Sequence, residues 1–176
     1  NAVVAMRFRQ AYDINVIGGE FTNLHSVMQA NGNTGTNFEG VTANCIEGVF
    51  SMTGGAGSFS IKNSEFTSQG YGIRVGEGYN KNFNIDGCTI TAPVPVAVRY
   101  VENGGPLYFT FGQNTMTPNN PYDYWFVAGT GKDEYDGGET LPTVGGQVVV
   151  NIDEDSTLGY EGVYGNYYVV KIEDTQ

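Results

Sequence analysis

Basic side chains are scarce in this chain: eight Lys and Arg stand against nineteen Asp and Glu, a net charge of −11 over 176 residues. A surplus of that sign repels phosphate backbones and argues against general nucleic-acid binding. Cysteine is scarce too. Cys45 and Cys88 alone do not build a disulfide framework. They fall in different columns of the repeat described below, about two turns apart, so they read as buried free thiols. No apolar run approaches the roughly 20 residues of a membrane span, and no signal peptide is visible. The first residue is Asn1 rather than Met, which reads as a processed chain or a fragment. The single histidine, His25, has no partner that suggests a triad or metal site and reads as a turn residue.

Glycine and aromatics are plentiful instead. With 26 Gly, 12 Tyr, 10 Phe and only 15% charged residues, the composition favours many short strands and turns over a helical bundle. The stretch Phe59–Thr67 (FSIKNSEFT) shows the pattern. Phe59 and Ile61 alternate with polar residues, Asn63 interrupts, and Glu65-Phe66-Thr67 resumes the alternation of a half-buried strand. The same nine positions recur at Ile14–Thr22, Thr36–Asn44, Phe83–Thr91 and Phe109–Thr117, with last positions 22, 23, 24 and 26 residues apart. A third strand precedes each pair: Met6-Arg7-Phe8, Met28-Gln29-Ala30, Phe50-Ser51-Met52, Ile73-Arg74-Val75, Val98-Arg99-Tyr100 and Tyr124-Trp125-Phe126. Three short strands at a period of this length predict a parallel β-solenoid.

In such a coil identical positions stack about 4.8 Å apart, so inward columns are apolar. Three columns qualify: Ile14, Thr36, Phe59, Phe83, Phe109; Val16, Phe38, Ile61, Ile85, Phe111; and Phe21, Ala43, Phe66, Ile90, Met116. Thr36 and Ala43 are the weak members and mark the second turn as the least well packed. A corner column, Gly18, Gly40, Asn63, Gly87, Gln113, holds residues that tolerate positive φ or bond along the stack.

Gly72–Val75 (GIRV) followed by Phe83–Ile90 (FNIDGCTI) resembles the right-handed parallel β-helix repeat of pectate-lyase-like proteins and bacteriophage tailspikes. The resemblance covers roughly residues 2 to 127. One departure is the asparagine ladder of many family members, which is mostly Gly here, with Asn63 alone in that column. The resemblance implies an all-β, right-handed parallel β-helix, and the repeats above give it about five to six coils. It also implies that the Gly-Ile-Arg-Val strands belong to the sheet on which family enzymes bind saccharides. Coils are expected over residues 1–127, and an acidic Gly-rich loop with capping and oligomerisation strands over 128–176.

Chemistry is expected on the outward column Arg7, Gln29, Ser51, Arg74, Arg99, Trp125. Arginines beside an aromatic platform suit an acidic sugar, and Arg99 suits the base of a lyase. The competing reading is a set of solvated strand residues pairing with acids such as Asp13 or Asp123. Glu20 and Glu65 share an outward column two turns apart, beyond the spacing of a hydrolase pair. Asp133, Asp136 and Glu139 in the Gly-rich loop offer a weak Ca²⁺ site without EF-hand spacing, and otherwise no cofactor is implied. Together these features predict a structural or receptor-binding module of a virion or cell surface, of the tail-fibre, spike or capsid-decoration type. Such a module is extracellular or on the virion surface, and its partners are copies of itself, with a trimer favoured, or neighbouring virion or surface proteins, and a polysaccharide. A polysaccharide lyase or hydrolase is the alternative.

Overall fold

The computed structural model describes residues 4–32, 34–53, 57–76, 81–98, 106–128, 148–165 and 169. The chain winds through three-strand turns. The first is β1 (Val4–Arg9), β2 (Tyr12–Ile17) and β3 (Glu20–Leu24); the second is β4 (Ser26–Asn31), β5 (Thr34–Glu39) and β6 (Thr42–Cys45). The third is β7 (Gly48–Thr53), β8 (Gly57–Lys62) and β9 (Glu65–Ser68); the fourth is β10 (Tyr71–Val75), β11 (Lys81–Asp86) and β12 (Thr89–Ala92). A fifth set, β13 (Val94–Val98), β14 (Leu107–Phe111) and β15 (Thr115–Pro118), is followed by β16 (Phe126–Ala128), β17 (Val148–Ile152) and β18 (Val163–Gly165).

All pairings are parallel and join each strand to its counterpart one turn away. The first sheet runs β1-β4-β7-β10-β13-β16-β18, the second β17-β14-β11-β8-β5-β2, and the third β15-β12-β9-β6-β3. This is a parallel β-solenoid. Between β1 and β13 it completes four turns, fewer than the five to six coils expected from the repeats. Beyond β15 the sheets grow unequally: β17 adds to the second and β18 to the first. These late strands therefore extend the coil surfaces past residue 127.

The three inward columns stand in the register that alternation predicts. Ile14, Thr36, Phe59, Phe83 and Phe109 pair in succession, and Val150 continues them. Phe38, Ile61, Ile85, Phe66 and Ile90 are wholly buried. Down the axis Phe83 stacks on Phe109 with centroids 4.5 Å apart, and Phe50 meets Phe66 edge-on at 5.1 Å. Such ring pairs add about 1 kcal/mol each beyond the burial of their area. Buried polar groups are satisfied at the second corner. The Asn114 amide donates to the carbonyls of Ile85 and Gly112 and accepts from the Cys88 N–H, while Ser64 accepts from the Val41 N–H.

A void of about 10 Å³ lies among Met28, Thr36, Met52, Phe59 and Lys81. Lys81 is the unforeseen resident of the interior. It continues the inward set Phe83 and Ile85 by one more period of two, and only 5% of it is exposed. Burial lowers its pKa to about 8. Both cysteines are free and buried, and burial pushes each thiol up to about 11.

Candidate binding cleft on the first sheet

The first sheet carries the outward arginines. Arg7 pairs with Gln29, Gln29 with Ser51 and Ser51 with Arg74, so four members of the expected stripe share a column. The next rungs differ. Arg74 pairs with Ala97, and Ala97 with Val127. The apolar-polar-apolar template slid two residues here because Val94-Pro95-Val96-Ala97-Val98 contains no polar residue, and Arg99 is the next one along. The column instead turns apolar, and Val94, Ala97 and Val127 form a buried cluster with Tyr124 and Tyr164 packed against it. Arg99 itself lies outside the described residues.

Trp125 does not close the stripe. It is 5% exposed, packs on Phe111 and Phe126, and its indole N–H donates to the Gly159 carbonyl at 3.0 Å. A residue preceding a strand can turn inward at the corner, a direction that a period-two reading of Tyr124-Trp125-Phe126 does not anticipate. Tyr160, in the region expected to cap the coil, also faces its own chain. Its hydroxyl accepts from the Ile152 N–H and donates to the Val150 carbonyl. Asp133, Asp136 and Glu139 lie outside the described residues. Among the described residues no three His, Cys, Asp or Glu side chains converge on a metal position.

Among the described residues this face carries two concavities. One, of about 480 Å³, is lined by Arg7, Arg9, Gln29, Asn31, Ser51 and Thr53. In it Arg7 donates to the Gln29 side-chain oxygen at 2.8 Å, and Asn31 to the Thr53 hydroxyl at 3.1 Å. The other, of about 730 Å³, follows the corner between the third and first sheets and includes His25, Glu47, Gln69, Tyr71, Arg74 and Asn119 in its lining. This volume falls in the range of small-ligand sites.

Local sequence builds the larger cleft. Tyr71 lies over Gly48, where any side chain would collide with its ring. Freed to lie flat, the ring receives Arg74, whose guanidinium carbon stands 5.3 Å from the centroid and whose Nη1 donates to the phenol oxygen at 3.3 Å. On the far side Asn120 fixes the loop after β15. Its amide nitrogen donates to the carbonyls of Pro93 and Tyr124, and its oxygen accepts the N–H groups of Tyr122 and Tyr124. His25 does occupy a corner, with its carbonyl accepting the N–H groups of Glu47 and Gly48. Its Nδ1 also faces Glu47 Oε2 at 3.9 Å, an exposed pair of small energetic weight. The sequence reading missed this neighbourhood of His25, Glu47, Gln69 and Tyr71. The available signal was the repeated corner position before each first-sheet strand, which brings His25 beside Glu47 one turn later.

Chemically, the cleft offers a planar cation, an aromatic face and side-chain amides. These groups recognise a carboxylate on an otherwise polar, flat-faced molecule. Its described lining contains one carboxylate, Glu47, and not the flanking pair that glycoside hydrolysis uses. Glu20 and Glu65 stand in one outward column of the third sheet with Thr42 between them, away from this cleft. No helix among the described residues is long and apolar enough to cross a membrane. Compared with known proteins, the chain matches no family model, no curated protein and no solved structure.

Proposed function

We propose that the protein is a receptor-binding β-helix module of a virion or cell surface that holds an acidic saccharide in the Tyr71–Arg74 cleft. The observation that carries this reading is the guanidinium of Arg74 seated on Tyr71 within a cleft of about 730 Å³. Arginine held on a ring loses less freedom on meeting a carboxylate than a free side chain does. The net charge of −11 disfavours long polyanions by general repulsion. A ligand with one carboxylate, such as a terminal uronic acid, therefore suits the cleft better than an extended polyanion. The resemblance of Gly72–Val75 and Phe83–Ile90 to the pectate-lyase-like and tailspike repeat supports the same assignment. In that setting the module works as a homo-oligomer, for which a trimer is the expected mass in solution.

A second reading, a polysaccharide lyase or hydrolase, draws on the His25–Glu47 pair in the same cleft. The single carboxylate among the described lining residues favours binding over turnover. Incubation with a panel of uronic-acid polymers separates the two. The binding reading expects no unsaturated uronate absorbance and no new reducing ends, and turnover on any polymer contradicts it.

A further inference from the structure

Behind the cleft, the loop after β15 presents a supported aromatic plate. Tyr122 is 48% exposed and stacks on Tyr124 with centroids 5.5 Å apart and planes 11° apart. Tyr124 in turn stacks on Tyr164 at 4.6 Å and 3°. Tyr124 and Tyr164 rest against the buried cluster of Val94, Ala97 and Val127. With Asn120 bonding the backbone of Tyr122 and of Tyr124, the outer ring is ordered before any ligand arrives, which removes an entropic cost of binding. The next residue, Asp123, has φ +57°, a left-handed conformation that non-glycine residues adopt at a cost.

Tyr122 and Asp123 form one wall of a groove of about 490 Å³ whose other members include Trp125, Thr157, Leu158 and Glu161. The one ring N–H among the described lining residues, that of Trp125, is already bonded to Gly159. Among the described residues no basic side chain lines the groove, which combines aromatic and aliphatic surface with two carboxylates. That composition is complementary to an organic cation, whose charge meets the acids and the aromatic face while its carbons meet the apolar surface. The acidic surplus of the whole chain also draws cations towards it. A bare metal ion fits less well, since no trio of ligating side chains converges here among the described residues.

We propose that the groove between residues 122–125 and 157–162 is a second site, distinct from the Arg74 cleft, that binds an organic ammonium group. Trp125 is the only tryptophan in the chain, so tryptophan emission reports on a residue that lines this groove. Titration with choline chloride should give a saturable emission change. Matched sodium chloride and the uncharged isostere 3,3-dimethylbutanol should not. Tyr122→Ala and Asp123→Asn should each weaken choline binding by about tenfold, whereas Arg74→Ala should leave it unchanged. Asp123→Asn keeps a residue type that tolerates positive φ, so it decides the question if Tyr122→Ala fails to fold. Absence of a saturable choline response, an equal response to the isostere, or unchanged affinity in Asp123→Asn would overturn the proposal.

Discussion

The side-chain oxygen of Asn63 lies 2.5 Å from the point where a β-carbon on Gly87 would stand. The two residues occupy the same corner in successive turns, with φ of +48° and +63°, and the Asn63 N–H donates to the carbonyl of Asp86 just before Gly87. Glycine at 87 thus serves two needs, a left-handed backbone and room for the asparagine below it.

Gly18 separates those needs. It has the same left-handed φ, +68°, but nothing stands within 4 Å of its would-be β-carbon. Gly18→Ala should cost only the backbone component, about 1 kcal/mol, and Gly87→Ala about 2–3 kcal/mol because the Asn63 amide must also move. Chemical denaturation of both variants checks the difference. Equal losses would mean that the Asn63 contact carries no energy.

Lys81 makes stability depend on pH. Its pKa in the folded chain is lowered by burial from 10.5 to about 8, so between these values unfolding takes up a proton. Stability should therefore rise as pH increases from about 8 to 10.5, by an upper limit of about 3 kcal/mol. Below pH 8 the folded chain holds the ammonium in an apolar setting, and Lys81→Met should be more stable than the parent there. Urea melts of parent and variant across this range isolate the contribution, because other titrating groups cancel in the comparison. Parallel profiles would show that Lys81 keeps its ordinary pKa.

Both thiols should be inert in the native state. Cys45 and Cys88 are buried, and burial holds each near 11, which leaves little thiolate at neutral pH. A colorimetric disulfide reagent at pH 8 should find no fast-reacting thiol in the folded chain and both after guanidinium is added. Fast native labelling of either cysteine would indicate local opening of its turn.

Much of the coil was legible because alternation and stacking impose the same constraint twice. Phe59, Phe83 and Phe109 are apolar for their own strand and for the column they share, so register follows from residues alone. The constraint fails where the outer face is itself apolar. Ala97 looks inward by type but is covered from outside by the cluster with Val127, and the template moved past it to Arg99. Lys81 fails in the opposite sense, being inward by position and polar by type. The site was half visible. Arg74 stood out as a charge on a strand, whereas its support depends on Tyr71 crossing to Gly48 in the previous turn, a contact that no single repeat contains.

The cleft gives the central claim its most direct test. Isothermal titration should compare oligosaccharides ending in a uronic acid with their carboxyl-reduced counterparts, against the parent protein and Arg74→Ala. The account predicts that the parent prefers the acid, and that Arg74→Ala weakens acid binding by about tenfold or more while its melting temperature holds. Equal affinity of the parent for both sugars, or undiminished binding by Arg74→Ala, would contradict it.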